Sequence, residues 1–242
     1  MFPGFNEDTI RFFLDIRFHN DKSFMHARHD DYVKLVQEPF YAFIDALAPA
    51  MLKIDADMEV RPRKCLARIY RDTRFTNDKS PYRDHLWLAF RKAAADKYGL
   101  PFYWFELGPE RMNWGVGVWG ENREAMNALR RKIAARPQDY LPLTDLVKKS
   151  GFSVGGAEFK RLEIPPGIPE ALIPLYKKRE IYFEKLNIKY EWAYSPDLVS
   201  RVTRDFKRMA PVYLLLRGCT EEALEELNAS TEKKQGGFYA EP

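Results

Sequence analysis

The sequence predicts an α+β fold, one domain over residues 1–229, in which an antiparallel meander of about four to six strands is covered by several helices. Three observations carry this. Apolar residues recur at helical spacing towards both ends of the chain; a period of two takes over between Cys65 and Trp119; and short turn-rich segments separate the period-two runs.

Asn6 caps a first helix whose opening turn holds Glu7 and Asp8, acids that suit the positive end of the helix dipole, with Ile10, Phe13 and Leu14 on its apolar face. A second helical region runs from Asp30 to Ala50 on Tyr32, Val36, Phe40, Phe43, Ile44 and Leu47, and Pro39 is expected to kink or restart it. From Cys65 to Tyr70 and from Leu86 to Phe90 the residues alternate as strands do. Phe102 to Leu107 and Met112 to Trp119 continue the pattern across Gly108-Pro-Glu-Arg111, which has hairpin length. Met126, Leu129 and Ile133 restore helical spacing, and a helix with Leu146 and Val147 ends at Gly151.

Phe152 to Phe159 reads as a small hairpin turning on Gly155 and Gly156, Pro165 to Pro169 as a stiff loop, and Ile181 to Ile188 as a further strand. Ser195 caps a long helix with Val199, Val202, Phe206, Met209, Tyr213 and Leu216 on one stripe, which Pro211 should bend. Residues 230–242 read as a mobile tail.

Charge is concentrated. Between Arg61 and Arg91 nine Lys or Arg stand against three Asp, a local +6, whereas the whole chain has 39 bases against 35 acids, or +4; the remainder therefore carries −2. Such a cluster focuses field on anions without specifying a fold. A net +4 argues against an extended nucleic-acid footprint, although bases and aromatics are interleaved in this segment. Cys65 and Cys219 form neither a CxxC pair nor a disulfide framework, so a cytoplasmic location is expected. No leader-like start and no apolar run long enough to span a bilayer is visible, so no membrane role is expected.

If one face of the first strand is buried, Arg68 and Arg71 cannot both be idle surface groups. A buried guanidinium needs a carboxylate or an anionic ligand. Asp72, Asp78, Asp84 and Glu106 could brace it internally; alternatively Arg68, Arg71, Arg74, Lys79, Tyr82 and Arg83 form a site for a small anionic ligand, phosphorylated ones among the candidates, walled by a tryptophan. Gly115 and Gly117, in phase on one strand, mark either a hollow for that ligand or a close packing contact. A third reading is an enzyme of hydrolase or transferase type with Glu106, Asp72 or His85 as acid or base. His26 and His29 lack the partners a metal site needs, and no nucleotide-binding, hydrolase or metalloprotease motif occurs, so neither metal nor cofactor is expected.

The run Arg68-Ile-Tyr-Arg-Asp-Thr-Arg-Phe-Thr-Asn-Asp-Lys-Ser-Pro-Tyr-Arg83, together with Gly115-Val-Gly-Val-Trp119, Phe159-Lys-Arg-Leu162 and Pro166-Gly167, resembles the domain of unknown function 2461 family. The resemblance extends from Gly4 to about Leu216. Where that family shows Asn-Asn followed by Trp-Phe, this chain has His19-Asn20 and Ser23-Phe24. The resemblance implies a single domain and no particular activity.

Overall fold

A computed structural model describes residues 2–74, 77–93 and 99–236, with side chains as far as 229. Helices α1 (Glu7–Phe18), α2 (Lys22–Ala27) and α3 (His29–Tyr32) lead through a π-helical turn (Val33–Gln37) directly into α4 (Glu38–Ile54). The Asn6 side chain accepts from Thr9 N, as the cap reading requires. Pro39 lies in the first turn of α4 but inside a continuous helical run, and the Leu35 carbonyl four residues back accepts from Thr9 Oγ1 at 2.7 Å instead. The irregularity sits earlier, where the Glu38 N–H donates to Val33 O five residues back.

The expected strand from Cys65 to Tyr70 is instead a one-turn helix, α5 (Pro62–Cys65), followed by isolated bridges from Leu66 to Leu88 and from Tyr70 to Tyr82. Pro62 presets the helical φ. At the far end Arg71 N donates to Pro81 O at 2.8 Å, but Pro81 has no N–H to return the bond, so the ladder stops.

Three strands, β1 (Leu86–Arg91), β2 (Phe102–Gly108) and β3 (Arg111–Val118), form the expected consecutive meander, with Leu88 opposite Phe105 and Leu86 opposite Leu107. Then come α6 (Arg123–Ala135), α7 (Leu141–Lys149), β4 (Phe152–Gly155), α8 (Ile173–Tyr176), β5 (Ile181–Lys185), α9 (Asp197–Arg208) and α10 (Ala210–Gly236). The fold is α+β, and its five-stranded antiparallel sheet has the order β1-β2-β3-β5-β4. The hairpin expected over Phe152 to Phe159 does not form: Gly156, at φ +105°, turns the chain away, and the partner of β4 is β5. The long C-terminal stripe is divided, since α9 ends at Arg208 and Pro211 falls in the first turn of α10. Residues 230–236 continue α10, and the rest of the expected tail lies outside the described residues.

The chain comprises two compact units. The first contains Met1–Ala94, Phe102–Gly115 and Lys185–Arg208; the second contains Ala95–Pro101, Val116–Glu184 and Met209–Pro242. At the centre of the first, Phe105 packs its ring 4.8 Å from Phe43, 6.0 Å from Phe5 and 6.3 Å from Trp114. The second is built on Val116 and Val118, Met126, Leu129 and Ile133, and Val212, Tyr213 and Leu216, all buried. There Gly117 admits the backbone of β5: a Cβ on it would lie 2.4 Å from Tyr182 Cα. The space above this glycine is therefore filled by a neighbouring strand, not by a hollow or a helix.

Among the described residues no helix is long and apolar enough to cross a membrane.

In the first unit Glu59 accepts from Arg61 through Nε at 2.8 Å, through the backbone N at 3.0 Å, and through Nη2. The side-chain bonds from Arg61 hold its carboxyl at about 2, below the ordinary 4.5, against the opposing effect of burial. A depressed carboxyl contributes stability above its unfolded value and loses it as pH falls towards the folded one. Arg61 is 72% exposed, so solvent screening keeps the contribution small. Urea unfolding should accordingly find Glu59→Gln slightly less stable than the parent at neutral pH and equal to it near pH 2; a gap that persists in acid would assign the loss to packing.

Candidate functional site

The basic segment folds as a narrow ribbon. Arg71 N donates to Pro81 O and Arg83 N to Ile69 O, both at 2.8 Å, and the Tyr70 and Tyr82 rings lie 5.2 Å apart. Asn20 holds the ribbon from a distance in sequence: its Nδ2 donates to Tyr82 O and its Oδ1 accepts from Tyr82 N, each at 2.9 Å. The two bonds together need a donor and an acceptor side by side, which a carboxamide has and the imidazole of His19 has not. The second residue of that early turn is thus the one that ties it to the basic loop.

Most of the predicted ligand residues are engaged by the protein itself. Arg71 Nη1 is 2.8 Å from Asp78 Oδ2, while its Nε is buried without a hydrogen-bond partner. Arg74 pairs with Asp72 at 2.8 Å, and its side-chain bond lowers the Asp72 carboxyl to about 2. Lys79 Nζ donates to Thr73 O at 2.8 Å. Tyr82 is buried. Arg83 Nη1 donates to Arg68 O at 2.9 Å and to Tyr70 O, and its guanidinium lies 4.8 Å from the centre of the Trp87 ring. Burial pushes the Arg83 pKa below its ordinary value, and repulsion from Arg71 adds to this.

Arg68 is different. It is exposed and lines a cavity of about 240 Å³ whose wall also includes His29, Tyr32, Gln37, Tyr41, Arg63 and Tyr70. Arg71, Arg74, Lys79, Tyr82 and Arg83 are not on this wall. No carboxylate lines it, and among the described residues neither Arg63 nor Arg68 has an ion-pair partner. His29 stands 3.8 Å from Asp30 through Nδ1 and is 65% exposed, so it is neither sealed nor tightly held. Burial, with the neighbouring Tyr41 and Tyr70, raises Tyr32 to about 12, which keeps its hydroxyl protonated and able to donate. Two guanidiniums, a histidine and a phenol around a space free of acids can receive a small anion through charge-assisted hydrogen bonds.

Sequence reasoning found Arg68 through local charge and missed Arg63, Gln37 and Tyr41 as wall residues. Arg63 belonged to the same +6 segment, so a signal existed. Gln37 and Tyr41 had none, because the π-helical turn shifts the register on which a helical reading depends.

The three acid or base candidates lie elsewhere. His85 Nδ1 is 2.9 Å from Asp84 Oδ1, and its Nε2 is 3.5 Å from Glu106 Oε1. Arg17 holds Asp84 at 2.8 Å, and Glu106 accepts from Arg111 at 3.2 Å and from Asn113 at 3.3 Å. For Asp84, burial alone would raise the carboxyl, but the bonds from His85 and Arg17 outweigh it and leave it low. Asp72, the remaining candidate, is exposed beside Arg74. Among the described residues no group of three or more His, Cys, Asp or Glu is placed to hold a metal ion.

A family model described as a conserved hypothetical protein, DUF2461, matches residues 8–214. The chain belongs to the DUF2461 family. In this DUF2461 protein the match takes in the whole ribbon, the Arg68 cavity and all five strands. No curated protein matches the chain.

Proposed function

We propose that this DUF2461 protein binds a small anion, a phosphate monoester or a compact carboxylate, in the cavity bounded by Arg63 and Arg68. One observation carries the reading: two guanidiniums without ion-pair partners face a space of about 240 Å³ whose wall contains no carboxylate. Unneutralised guanidiniums converging on one hollow make its potential positive, and Tyr32, Tyr41 and Tyr70 supply aromatic surface beside them. The volume favours a compact guest. The alternative role, an acid or base at Glu106, Asp72 or His85, finds none of the three on the wall, and all three have polar partners already. The location we propose is the cytoplasm, on the grounds that Cys65 and Cys219 are buried free thiols.

The test is calorimetric titration of the protein with a panel of phosphate monoesters and small carboxylates at low ionic strength. Binding is expected, and Arg63→Ala and Arg68→Ala should each weaken it about tenfold or more, as loss of a charge-assisted bond implies. Both side chains are exposed, so melting temperature should hardly change. A panel without a single binder, or binding that survives the double variant unaltered, would refute the proposal.

A further inference from the structure

The second unit contains a larger cavity, about 460 Å³, lined by Arg123, Asn127, Arg130, Phe159, Leu162 and Arg179 together with Glu121 and Met126. Phe159 and Leu162 bound the Phe159-Lys-Arg-Leu162 run, which the site in the first unit does not use. The Phe159 ring gathers charge: the guanidinium carbons of Arg130 and Arg179 lie 5.2 and 5.8 Å from its centre. Two cations are thereby brought to one edge of the same hollow.

They are unequally neutralised. Arg179 pairs with Glu121. Arg130, half-buried, meets only neutral oxygens: Nη1 donates to Lys178 O at 2.9 Å and to Tyr176 O at 3.4 Å, and Nη2 to Asn127 Oδ1 at 2.8 Å. Burial lowers its pKa accordingly. Arg123, exposed at the start of α6, has no ion-pair partner among the described residues. Three arginines thus border a space that holds one carboxylate, and that carboxylate is committed to Arg179. A partly desolvated cation is stabilised when an anion reaches it.

We propose that this cavity is a second binding site, taking an organic phosphate whose anionic group is held between Arg123 and Arg130 and whose flat or apolar body rests on Met126, Phe159 and Leu162. The volume falls in the range of small-molecule sites, and the wall joins one apolar side to a few convergent donors. Its larger volume distinguishes it from the cavity of the first unit, and the proposal does not depend on that site being occupied.

The experiment is titration calorimetry with AMP, adenosine and inorganic phosphate as probes, on the parent protein, on Arg123→Ala, and on the double variant Arg63→Ala/Arg68→Ala. AMP should bind at least tenfold more tightly than either adenosine or phosphate. Arg123→Ala should weaken AMP about tenfold, as loss of one charge-assisted contact implies, while the Arg63/Arg68 double variant leaves an AMP site intact. Arg123 is exposed and outside the core, so its variant keeps the test independent of folding. Arg130→Gln should weaken AMP as well, in step with Arg123→Ala. The proposal is overturned if AMP binding is unchanged in Arg123→Ala, if it disappears in the Arg63/Arg68 variant, or if phosphate alone binds as tightly as AMP.

Discussion

Replacing Lys185 with methionine is expected to lower the unfolding free energy by about 3–5 kcal/mol, the cost of leaving a buried carboxylate without its cation. Asp205 is 1% exposed. Its Oδ2 accepts from Trp114 Nε1 at 3.2 Å and lies 3.3 Å from Lys185 Nζ. Arg204, 3.7 Å from Oδ1 and 53% exposed, is too far and too solvated to replace the lysine. Lys185 is itself only 16% exposed, so the pair operates where solvent screening is weak. Urea denaturation of Lys185→Met measures the loss, and Lys185→Met/Asp205→Leu should recover part of it, because removing both charges leaves no ion unpaired and only the Trp114 Nε1 hydrogen bond to Asp205 is lost. A single-variant loss below about 1 kcal/mol would mean that Asp205 does not depend on Lys185.

Phe105→Ala should be of comparable size, about 3–5 kcal/mol, through lost burial and the cavity left behind. The ring is fully buried on the central meander strand β2, with Phe43, Phe5, Phe40 and Trp114 around it at centroid distances of 4.8 to 6.4 Å. Four aromatic neighbours cannot all collapse into the vacated volume without leaving their own rotamers. Thermal unfolding followed by circular dichroism should show a large drop for Phe105→Ala and almost none for Phe18→Ala, whose side chain is exposed. Similar drops for both would deny Phe105 its central place.

What the sequence disclosed follows from how local the cause is. Asn6 with Glu7 and Asp8 marks a helix start by capping and charge alone, and the structure starts α1 there. The β2–β3 hairpin was equally legible, because Gly108 to Arg111 closes it within four residues. Non-local pairing was not. Cys65 to Tyr70 alternates like a strand, yet Pro62 winds its beginning into a helical turn and Pro81 withholds the donor that a ladder would need. Phe152 to Phe159 likewise pairs outside itself, with a partner some thirty residues on that no short-range turn signal announces.

The candidate site divides along the same line. Clustered charge led to Arg68 and its neighbourhood, since net charge survives any uncertainty about backbone path. The same charge reading named Asp72 and Asp78 among the acids that could brace the arginines, and they hold Arg74 and Arg71; the backbone carbonyls of Arg68, Tyr70, Thr73 and Tyr82 that also engage these cations could not be read, because such partners depend on how the ribbon closes.

The π-helical turn at Val33–Gln37 has a consequence for how this family can vary. In a regular α-helix Val36 would stand one turn above Tyr32; the wider turn puts Gln37 there instead, on the cavity wall, and sends Val36 into the core. The wider turn thus absorbs one residue more than an α-turn holds without moving the wall. Excising one residue between Tyr32 and Gln37 would let the turn close as a regular α-helix, in which Gln37, then four positions on, still stands one turn above Tyr32. A lineage could therefore lose or regain one residue here by a single codon change while Tyr32 and Gln37 stayed together on the wall.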